Sequence, residues 1–198
     1  MRFRLLMACA AAMALAACAP VRIKGDSAMF AAQAAREHAL SVRTHWTIQA
    51  RLAVSDGHHG GSGNLVWKQD GDHYDFTLRA PVTGRSFHLH GGPGGAELDG
   101  LDGGPVHGRN AQRLMARALG WQVPLEQLRY WVKGLRAPDG QAHLRFADDR
   151  LPALLQQDGW TVEYRAWFQG VAPEIPQKVF ASNGPYRVRV AIQGWTWR

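Results

Sequence analysis

An alternation of apolar and polar residues with a period of two begins at Trp46 and recurs over most of the chain. In its first run the apolar members are Trp46, Ile48, Ala50, Leu52 and Val54. Successive side chains of a β-strand point to opposite faces of the sheet, so this pattern predicts a half-buried strand. Similar runs predict roughly ten or eleven short strands in one large antiparallel sheet, which must curl and be covered. The predicted fold class is α+β, mainly β.

Turn-forming residues mark the connections between these strands. Asp70-Gly71-Asp72 separates two alternating runs and predicts a hairpin, and Asp158-Gly159 predicts a second one. Residues 56–63 are rich in glycine and polar residues, which predicts a loop.

Helical spacing precedes the first strand. Ser27 can serve as the cap of a helix that runs to about Val42. The expected apolar stripe is Phe30, Ala34 and Leu40, and the expected solvent side is Arg36, Glu37 and His38. This pattern predicts a helix packed on the surface of the sheet.

Two more helices are predicted in the middle of the chain. Asn110 can cap the first of them, Gly120 can end it, and Pro124 suits the first turn of the second. Their apolar faces are Leu114, Met115, Ala118 and Leu119 in the first, and Leu125, Leu128, Trp131, Val132 and Leu135 in the second. We expect both faces to cover the sheet.

Length and composition favour a single domain. The chain has 198 residues, of which 46% are hydrophobic and 20% charged. A chain of this length can bury a core without disulfides. Cys9 and Cys18 are its two cysteines, which excludes a disulfide scaffold and a cysteine-based zinc site in the folded body.

The amino terminus has the features of an export signal. Arg2 and Arg4 precede an apolar stretch, residues 5–17, that is too short to span a bilayer. Leu15-Ala16-Ala17-Cys18 resembles a bacterial lipobox, so Cys18 is the expected lipidation site, and an ordinary signal with an incidental cysteine is the alternative. The predicted organisation is a lipoprotein signal peptide at 1–17, a lipid-anchored tether at 18–26 and one domain at 27–198. Ala19 follows the cysteine, which favours sorting to the outer membrane.

Candidate catalytic and metal sites find little support in the sequence. His88 and His90 share one face of a strand, opposite Phe87 and Leu89, and we expect them to face solvent with no Asp or Glu held beside them. The aspartate pairs Asp70/Asp72 and Asp148-Asp149 fall in predicted turns, which argues against a catalytic pair of carboxylates. Ser62 lacks the glycine pattern of a nucleophile elbow. We therefore expect no metal, no cofactor and no enzymatic activity.

The net charge of +7 raises nucleic-acid binding as another possible function. The arginines are scattered singly along the strands rather than clustered, which argues against a phosphate-binding surface. A basic surface that faces anionic headgroups or an acidic carrier accounts for the charge.

Three stretches carry a resemblance to a known family. They are Leu65-Val66-Trp67-Lys68-Gln69, then Pro81-Val82-Thr83-Gly84, then Gly120-Trp121 through Pro124-Leu125 to Leu128-Arg129-Tyr130-Trp131-Val132-Lys133-Gly134-Leu135. Together with the lipobox and the order of elements, they make the chain similar to the LolB family of outer-membrane lipoprotein receptors. The resemblance covers nearly the whole chain.

The resemblance implies a fold and a role. The implied fold is an unclosed barrel of eleven antiparallel strands with helices in its mouth. The implied role is that of a monomeric receptor, anchored in the outer membrane and facing the periplasm. It would accept acylated lipoproteins from the carrier LolA and insert them among outer-membrane phospholipids without a nucleotide.

Acyl chains would need an apolar cavity, and the alternating strands offer residues to line it. The candidates are Trp46, Ile48, Leu52, Leu65, Trp67, Phe76, Leu78, Phe87, Leu89 and Trp131. Large rigid aromatics contact acyl chains with little loss of rotamer entropy, which singles out the three tryptophans. The same pattern also fits an ordinary packed core, so a structural envelope lipoprotein with a solid β core is the alternative function.

The segment Pro81-Val82-Thr83-Gly84 matches the family's protruding loop, which the resemblance implies to deliver lipid into the bilayer. Pro81 stiffens the segment and Gly84 permits the chain to return. Val82 stands where the family has a leucine followed directly by glycine, and Thr83 is an extra residue. A plain hairpin turn with an incidental valine is the alternative.

Overall fold

A computed structural model of the chain describes residues 22–81 and 84–198. The predicted signal peptide and lipidation site, Cys18, lie outside the described residues. Val82 and Thr83 of the predicted membrane loop lie outside them too.

The described residues form one antiparallel sheet of twelve strands. The strands are β1 (Ile23–Lys24), β2 (His45–Ser55), β3 (Gly60–Asp70), β4 (His73–Arg79), β5 (Ser86–Gly92), β6 (Gly95–Asp99), β7 (Val106–Gly108), β8 (Ala142–Phe146), β9 (Pro152–Gln157), β10 (Trp160–Trp167), β11 (Pro176–Asn183) and β12 (Tyr186–Trp197). Their order is β1-β8-β9-β10-β11-β12-β2-β3-β4-β5-β6-β7, so β1 and β7 are the two edges. The sheet curls without closing, as an unclosed barrel does.

The prediction of one antiparallel sheet is confirmed, with three differences in detail. The additional strand is β1, which has two residues and thus no alternation to detect, and which pairs with β8 from within the predicted tether. The predicted loop at 56–63 is too long, because β3 begins at Gly60 and pairs with β2 from there. The last strand, expected over residues 186–192, continues as β12 to Trp197 through a register shift near Gly194.

Three helices lie among the described residues: α1 (Ser27–Ser41), α2 (Ala111–Leu119) and α3 (Leu125–Trp131). The predicted boundaries of α2 are confirmed, since Asn110 Oδ1 accepts the Arg113 N–H at 2.9 Å and Gly120 ends the helix in the left-handed conformation. Pro124 stands at the start of α3, as predicted. No helix of the described ranges is both long and apolar enough to span a bilayer.

Two predictions about α1 are wrong. Its cap is Asp26 rather than Ser27, because Asp26 Oδ1 accepts the Met29 N–H at 2.7 Å. Phe30 is 41% exposed, whereas Arg36 is buried. The Arg36 guanidinium donates to the carbonyl oxygens of Gly134, Lys133 and Glu174, and these hydrogen bonds compensate for its burial. Burial nevertheless lowers the pKa of Arg36.

The hydrophobic core fills the concave side of the sheet. It runs from Phe146 and Leu155 near one edge, through Trp46 and Trp67, to Leu98 near the other edge. Helix α2 packs against β6 and β7. Helix α1 lies over the segment 133–137, which follows α3, through the Arg36 contacts and the Glu37–Arg136 ion pair at 2.6 Å. The helices therefore cover the two halves of the concave face separately.

Candidate functional site

An apolar cavity lies between the concave face of β2–β6 and the helices α2 and α3. Its volume is about 50 Å³. Its walls are Leu52, Leu65, Trp67, Phe76, Leu78, Phe87, Leu89, Leu98, Met115, Leu119, Trp121, Val123, Leu125 and Leu128. These are aliphatic, aromatic or thioether side chains, so an apolar ligand would meet only apolar groups inside.

The cavity is too small for a long ligand in this conformation. Its volume of about 50 Å³ is well below the roughly 300–1,000 Å³ of pockets that hold drug-sized ligands. A fatty acyl chain would fit only if the helices moved away from the sheet. We define the segment 111–125 as the lid, because its residues supply the outer wall of the cavity.

Seven of the ten predicted cavity residues meet at this cavity: Leu52, Leu65, Trp67, Phe76, Leu78, Phe87 and Leu89. Trp46, Ile48 and Trp131 are buried elsewhere in the core. Trp131 Nε1 donates to Gln157 Oε1 at 3.2 Å, and the Trp131 ring lies 6.2 Å from that of Trp160, on the far side of the barrel. An acyl-binding role for all ten residues remains a prediction.

Sequence reasoning omitted several residues of the cavity wall. Leu98 comes from a short strand between glycine pairs, and Met115 and Leu119 belong to the apolar face predicted for α2. Trp121 and Val123 lie in the linker between α2 and α3, where no helical or strand periodicity predicts which side chains point into the barrel. The Trp121 ring fits beside Gly61 of β3, where a Cβ would lie 2.5 Å from the ring. Gly61 falls inside the predicted loop 56–63, so no sequence signal indicated this contact.

A polar pocket of about 210 Å³ adjoins the apolar cavity and shares Trp67, Phe76 and Leu125 with it. We call this pocket the vestibule; its polar members are Gln69, Asp72, Tyr74, Arg109, Asn110, Gln112, Glu126 and Arg129. It lies at the end of the sheet where the turns after β3 and β5 meet the starts of α2 and α3. An amphiphile could thus keep its polar end here while its chain entered the cavity.

An ion pair holds α3 to the sheet across the vestibule. Arg129 Nη1 donates to Asp72 Oδ1 at 2.9 Å, and this contact contributes to a raised pKa of Arg129. Burial raises the pKa of Tyr74, with a smaller contribution from the Glu126 carboxylate. Trp67 Nε1 donates to Gln69 Oε1 at 2.9 Å, which fixes the ring that the two pockets share.

The predicted membrane loop lies at the opposite end of β4 and β5. Two hydrogen bonds close it: Ala80 N–H to the Arg85 carbonyl at 2.8 Å and Gly84 N–H to the Ala80 carbonyl at 3.0 Å. Pro81 and Gly84 are exposed, and Gly84 has a φ of 69°. The position of the loop between the two strands agrees with the sequence analysis.

The expectation that no carboxylate stands beside His88 and His90 is wrong. Both histidines lie on the convex face, but the neighbouring strands place Asp75, Glu97 and Asp99 next to them. His88 Nε2 lies 3.0 Å from Asp75 Oδ2, and His90 Nε2 lies 3.6 Å from Glu97 Oε2. Only the pairing of strands brings these residues together, since they are distant in the sequence.

Comparison with known proteins assigns this architecture to a family. Residues 44–195 match a family model described as outer membrane lipoprotein LolB. A protein of Xanthomonas campestris named outer-membrane lipoprotein LolB is 41% identical to this chain, over 83% of this chain and 78% of the relative. A protein of Alkalilimnicola ehrlichii with the same name is 37% identical, over 98% of both chains. A solved domain from Vibrio parahaemolyticus, described as an outer membrane lipoprotein-sorting protein domain, has a TM-score of 0.52 and 8% identity over 86% of this chain and 91% of its own. At that identity the solved domain supports the fold alone.

Proposed function

Because the chain belongs to the LolB family of outer-membrane lipoproteins, we propose that it is an outer-membrane receptor for lipoproteins delivered by a LolA-like periplasmic carrier. The observation that carries this proposal is the wholly apolar cavity under the lid. In this function the chain binds acyl chains, releases them into the membrane and makes or breaks no covalent bond. A structural lipoprotein with a solid core is not favoured by the family assignment.

The energetics of acyl chains explain why such a receptor is needed. Each methylene transferred from water to an apolar site contributes about 0.8 kcal/mol, so a lipoprotein with two or three chains leaves a membrane or carrier very slowly unaided. A cavity lined as this one is can accept the chains without exposing them to water. Transfer then requires only a favourable difference in affinity between carrier and receptor, and no nucleotide.

The small volume of the cavity supports opening of the lid as a step of this proposed function. The cavity of about 50 Å³ admits an acyl chain only when α2 and the linker move away from β3–β6. The lipid would enter past the shared residues Trp67, Phe76 and Leu125, and the peptide of the cargo would stay in the vestibule. The acyl chain itself would replace the contacts that the lid loses with the sheet.

A charge placed in the cavity tests this function. Leu119 is half-buried and lines the cavity from α2, whereas Arg113 lies on the exposed side of the same helix. A carboxylate at position 119 would lose its hydration against acyl chains, so Leu119→Glu should abolish saturable binding of a fluorescent fatty acid and uptake of cargo from an acyl-loaded carrier. Arg113→Glu serves as the control and should retain both. Saturable binding retained by Leu119→Glu would place the acyl site elsewhere, and no saturable binding by the unmodified chain would favour a solid core.

We propose Cys18 as the lipid anchor, after removal of residues 1–17, with the segment up to 26 linking it to the domain. Part of that segment already belongs to the folded body, because Ile23–Lys24 pairs with β8 and Asp26 caps α1. Cys18→Ala should abolish acylation and leave folding unchanged. Mass spectrometry of the membrane fraction measures this, and a diacylglyceryl mass on the variant would overturn the assignment.

We propose that the loop around Pro81, Val82 and Gly84 contacts the membrane phospholipid during release of cargo. An exposed valine gains about 1–2 kcal/mol on leaving water, enough to bias an encounter with the bilayer that the lipid on Cys18 already holds close. Val82→Glu and Val82→Ser should both reduce incorporation of cargo into liposomes while uptake from the carrier stays unchanged. If both variants incorporate cargo at the rate of the unmodified protein, the segment is a plain turn with no role in membrane contact.

We also propose that the receptor acts as a monomer and binds no nucleic acid. Size-exclusion chromatography with light scattering should give the mass of one chain, and a duplex DNA probe at physiological salt should show no shift. A stable dimer would contradict the monomeric state, and a salt-sensitive shift of the DNA probe would contradict the absence of nucleic-acid binding.

A further inference from the structure

The convex face of β4–β7 carries a ladder of histidines and carboxylates that the receptor function does not use. One row across the strands is Asp75, His90, Glu97 and His107, and in the next row His88 stands opposite Asp99. With neutral histidines this patch carries three negative charges, on a chain whose net charge is +7. Its chemistry therefore differs from that of the chain as a whole.

Three members of the ladder converge on one point. Ligand atoms of His88, His90 and Asp99 all lie within 4.8 Å of one another. The ligands of a tetrahedral zinc ion lie about 3.3 Å apart, given metal–nitrogen distances near 2.0 Å, so small rotations of the side chains would bring these three atoms onto one ion. Each of the three is half-buried, which leaves the point accessible from solvent.

Carboxylates orient the imidazole of His88 for this purpose. An ionised carboxylate only accepts hydrogen bonds, so Asp75 Oδ2, at 3.0 Å, receives the proton of His88 Nε2. His88 Nδ1 then keeps its lone pair, and it lies 3.8 Å from Asp99 Oδ2. A carboxylate that holds the far nitrogen of a histidine ligand is the usual outer shell of a zinc site.

His90 also lies near a carboxylate, but beyond hydrogen-bond distance. Its Nε2 faces Glu97 Oε2 at 3.6 Å, and the His90 ring lies 4.9 Å from the His88 ring. His90 Nδ1 is buried, and within 22–81 and 84–198 no hydrogen-bond partner reaches it. A buried nitrogen without a partner is costly, and coordination of a cation would satisfy it.

We propose that His88, His90 and Asp99 form a binding site for one divalent transition-metal ion of the zinc type, with Asp75 orienting the imidazole of His88. Imidazole and carboxylate together suit zinc and its neighbours in the first transition row rather than magnesium or calcium. The three protein ligands leave the remaining coordination positions to water. This proposal replaces the expectation of no metal, which depended on the absence of carboxylates beside the histidines.

The site lies back to back with the apolar cavity. Phe87 and Leu89 alternate with His88 along β5, and Leu98 precedes Asp99 on β6, so the same two strands present cavity residues inside and metal ligands outside. A bound ion would link β5 to β6 and stiffen the cavity wall, while the lid stayed free.

The test uses the full chain in mild detergent, freed of metal by a chelator, with Zn²⁺ as the probe. Competition with a fluorescent zinc indicator should give one Zn²⁺ per chain. His88→Ala combined with His90→Ala should abolish that stoichiometric binding, and Asp99→Asn should weaken it at least tenfold. Asp75→Asn should weaken it about tenfold while one ion still binds, as expected of a positioning residue.

A second histidine pair supplies the matched control. His58 and His59 are adjacent and exposed in the turn between β2 and β3. His58→Ala with His59→Ala should leave the affinity for Zn²⁺ unchanged, and the thermal unfolding of each metal-free variant verifies that it is folded. The visible absorption of bound Co²⁺ should change in Asp99→Asn, which a role in folding alone would not produce.

Either of two results would overturn the proposal. One is a chain that binds Zn²⁺ only weakly and without a defined stoichiometry. The other is a loss of affinity in the control pair equal to that in the 88/90 pair. Uptake of cargo is measured separately, so a failure of the metal site does not count against the receptor function.

Discussion

The two halves of the barrel solve the same packing problem in opposite ways. We define the anchored half as β8–β12 with α1 and residues 131–137, and the cavity half as β2–β7 with the lid. In the anchored half, buried polar side chains tie the covering segments to the sheet. Gln157 alone accepts from Trp131 and from the Ala137 N–H, and donates to the Ala137 and Asp139 carbonyls.

In the cavity half, apolar contacts rather than buried hydrogen bonds join the covering segment to the sheet. The residues that join its lid to the sheet are aliphatic and aromatic, and they surround the cavity of about 50 Å³. Apolar contacts have little directionality, so they can be exchanged for contacts with an acyl chain, whereas a buried hydrogen bond that opens must be replaced. We therefore expect the anchored half to act as the rigid support and the lid to be the part that moves.

Truncation of one tryptophan in each half should give the largest contrast. Trp131→Ala removes a fully buried ring and its hydrogen bond to Gln157, so we expect a loss of about 3–5 kcal/mol in the free energy of unfolding. Trp121→Ala removes a half-buried ring from the lid and should cost clearly less. Chemical denaturation measures both, and equal costs would contradict the division into two halves.

A buried lysine in the anchored half should make its stability depend on pH. Lys133 Nζ donates to the Leu40 and Arg43 carbonyls, and burial lowers its pKa to about 8, with a smaller contribution from Arg129. Between pH 8 and 10.5 the unfolded chain keeps this proton while the folded chain has released it, so stability should rise with pH. We expect a rise of about 1–3 kcal/mol up to pH 10, at 1.4 kcal/mol per pH unit at most.

Comparison with Lys133→Met isolates this contribution. The variant should show no such rise, because its side chain does not titrate. The free energy of unfolding, measured by denaturant titration from pH 7 to 10 in both proteins, provides the test. Parallel pH profiles would show that the ammonium group is not buried in solution.

The same substitution, Val→Ile, should stabilise the cavity half and destabilise the anchored half. Val123→Ile adds a methylene beside the cavity and should stabilise the fold by about 0.5–1 kcal/mol while weakening fatty-acid binding. Val162→Ile adds the same methylene in the close-packed anchored half and should destabilise it by about 1–3 kcal/mol. Thermal and chemical unfolding of the pair measure both signs, and two destabilised variants would mean that the cavity is filled in solution.

The smallest effect on stability is expected from the ion pair across the vestibule. Arg129→Gln removes the contact with Asp72, which is exposed, so the free energy of unfolding should fall by about 1 kcal/mol or less. Its effect should instead appear in rates, with faster entry of a fluorescent fatty acid because α3 is held less tightly. Arg165→Gln, which removes an exposed contact with Glu163 in the anchored half, should leave this rate unchanged.

Local sequence signals were sufficient for most elements of the fold. The alternation at 46–54, the turns at Asp70-Gly71-Asp72 and Asp158-Gly159, and the cap at Asn110 each correspond to observed boundaries. They are predictable because strand alternation and capping depend on residues a few positions apart. The prediction for α1 failed in part because its buried face combines Met29 and Leu40 with the polar Gln33 and Arg36. The carbonyl oxygens that Arg36 binds lie about a hundred residues away.

The candidate site was predictable only in part. Alternation shows that Trp46, Trp67 and Phe76 point into the barrel, but it does not show which part of the interior stays unfilled. The cavity exists where the lid packs loosely on β3–β6, and Trp46 and Trp131 lie where the interior is full. The volume left between the lid and the sheet depends on the side chains of both, which come from separate segments of the chain.

The sequence by itself therefore determined the sheet, the helices, the family and the apolar character of the concave face, because each depends on neighbouring residues or on a motif. The tertiary structure alone decided which of those apolar residues border a cavity and which carboxylates stand beside His88 and His90. Both depend on strand register and on helix packing, which bring residues from distant segments within a few ångströms. Contacts of that kind leave no pattern in any single stretch of the chain.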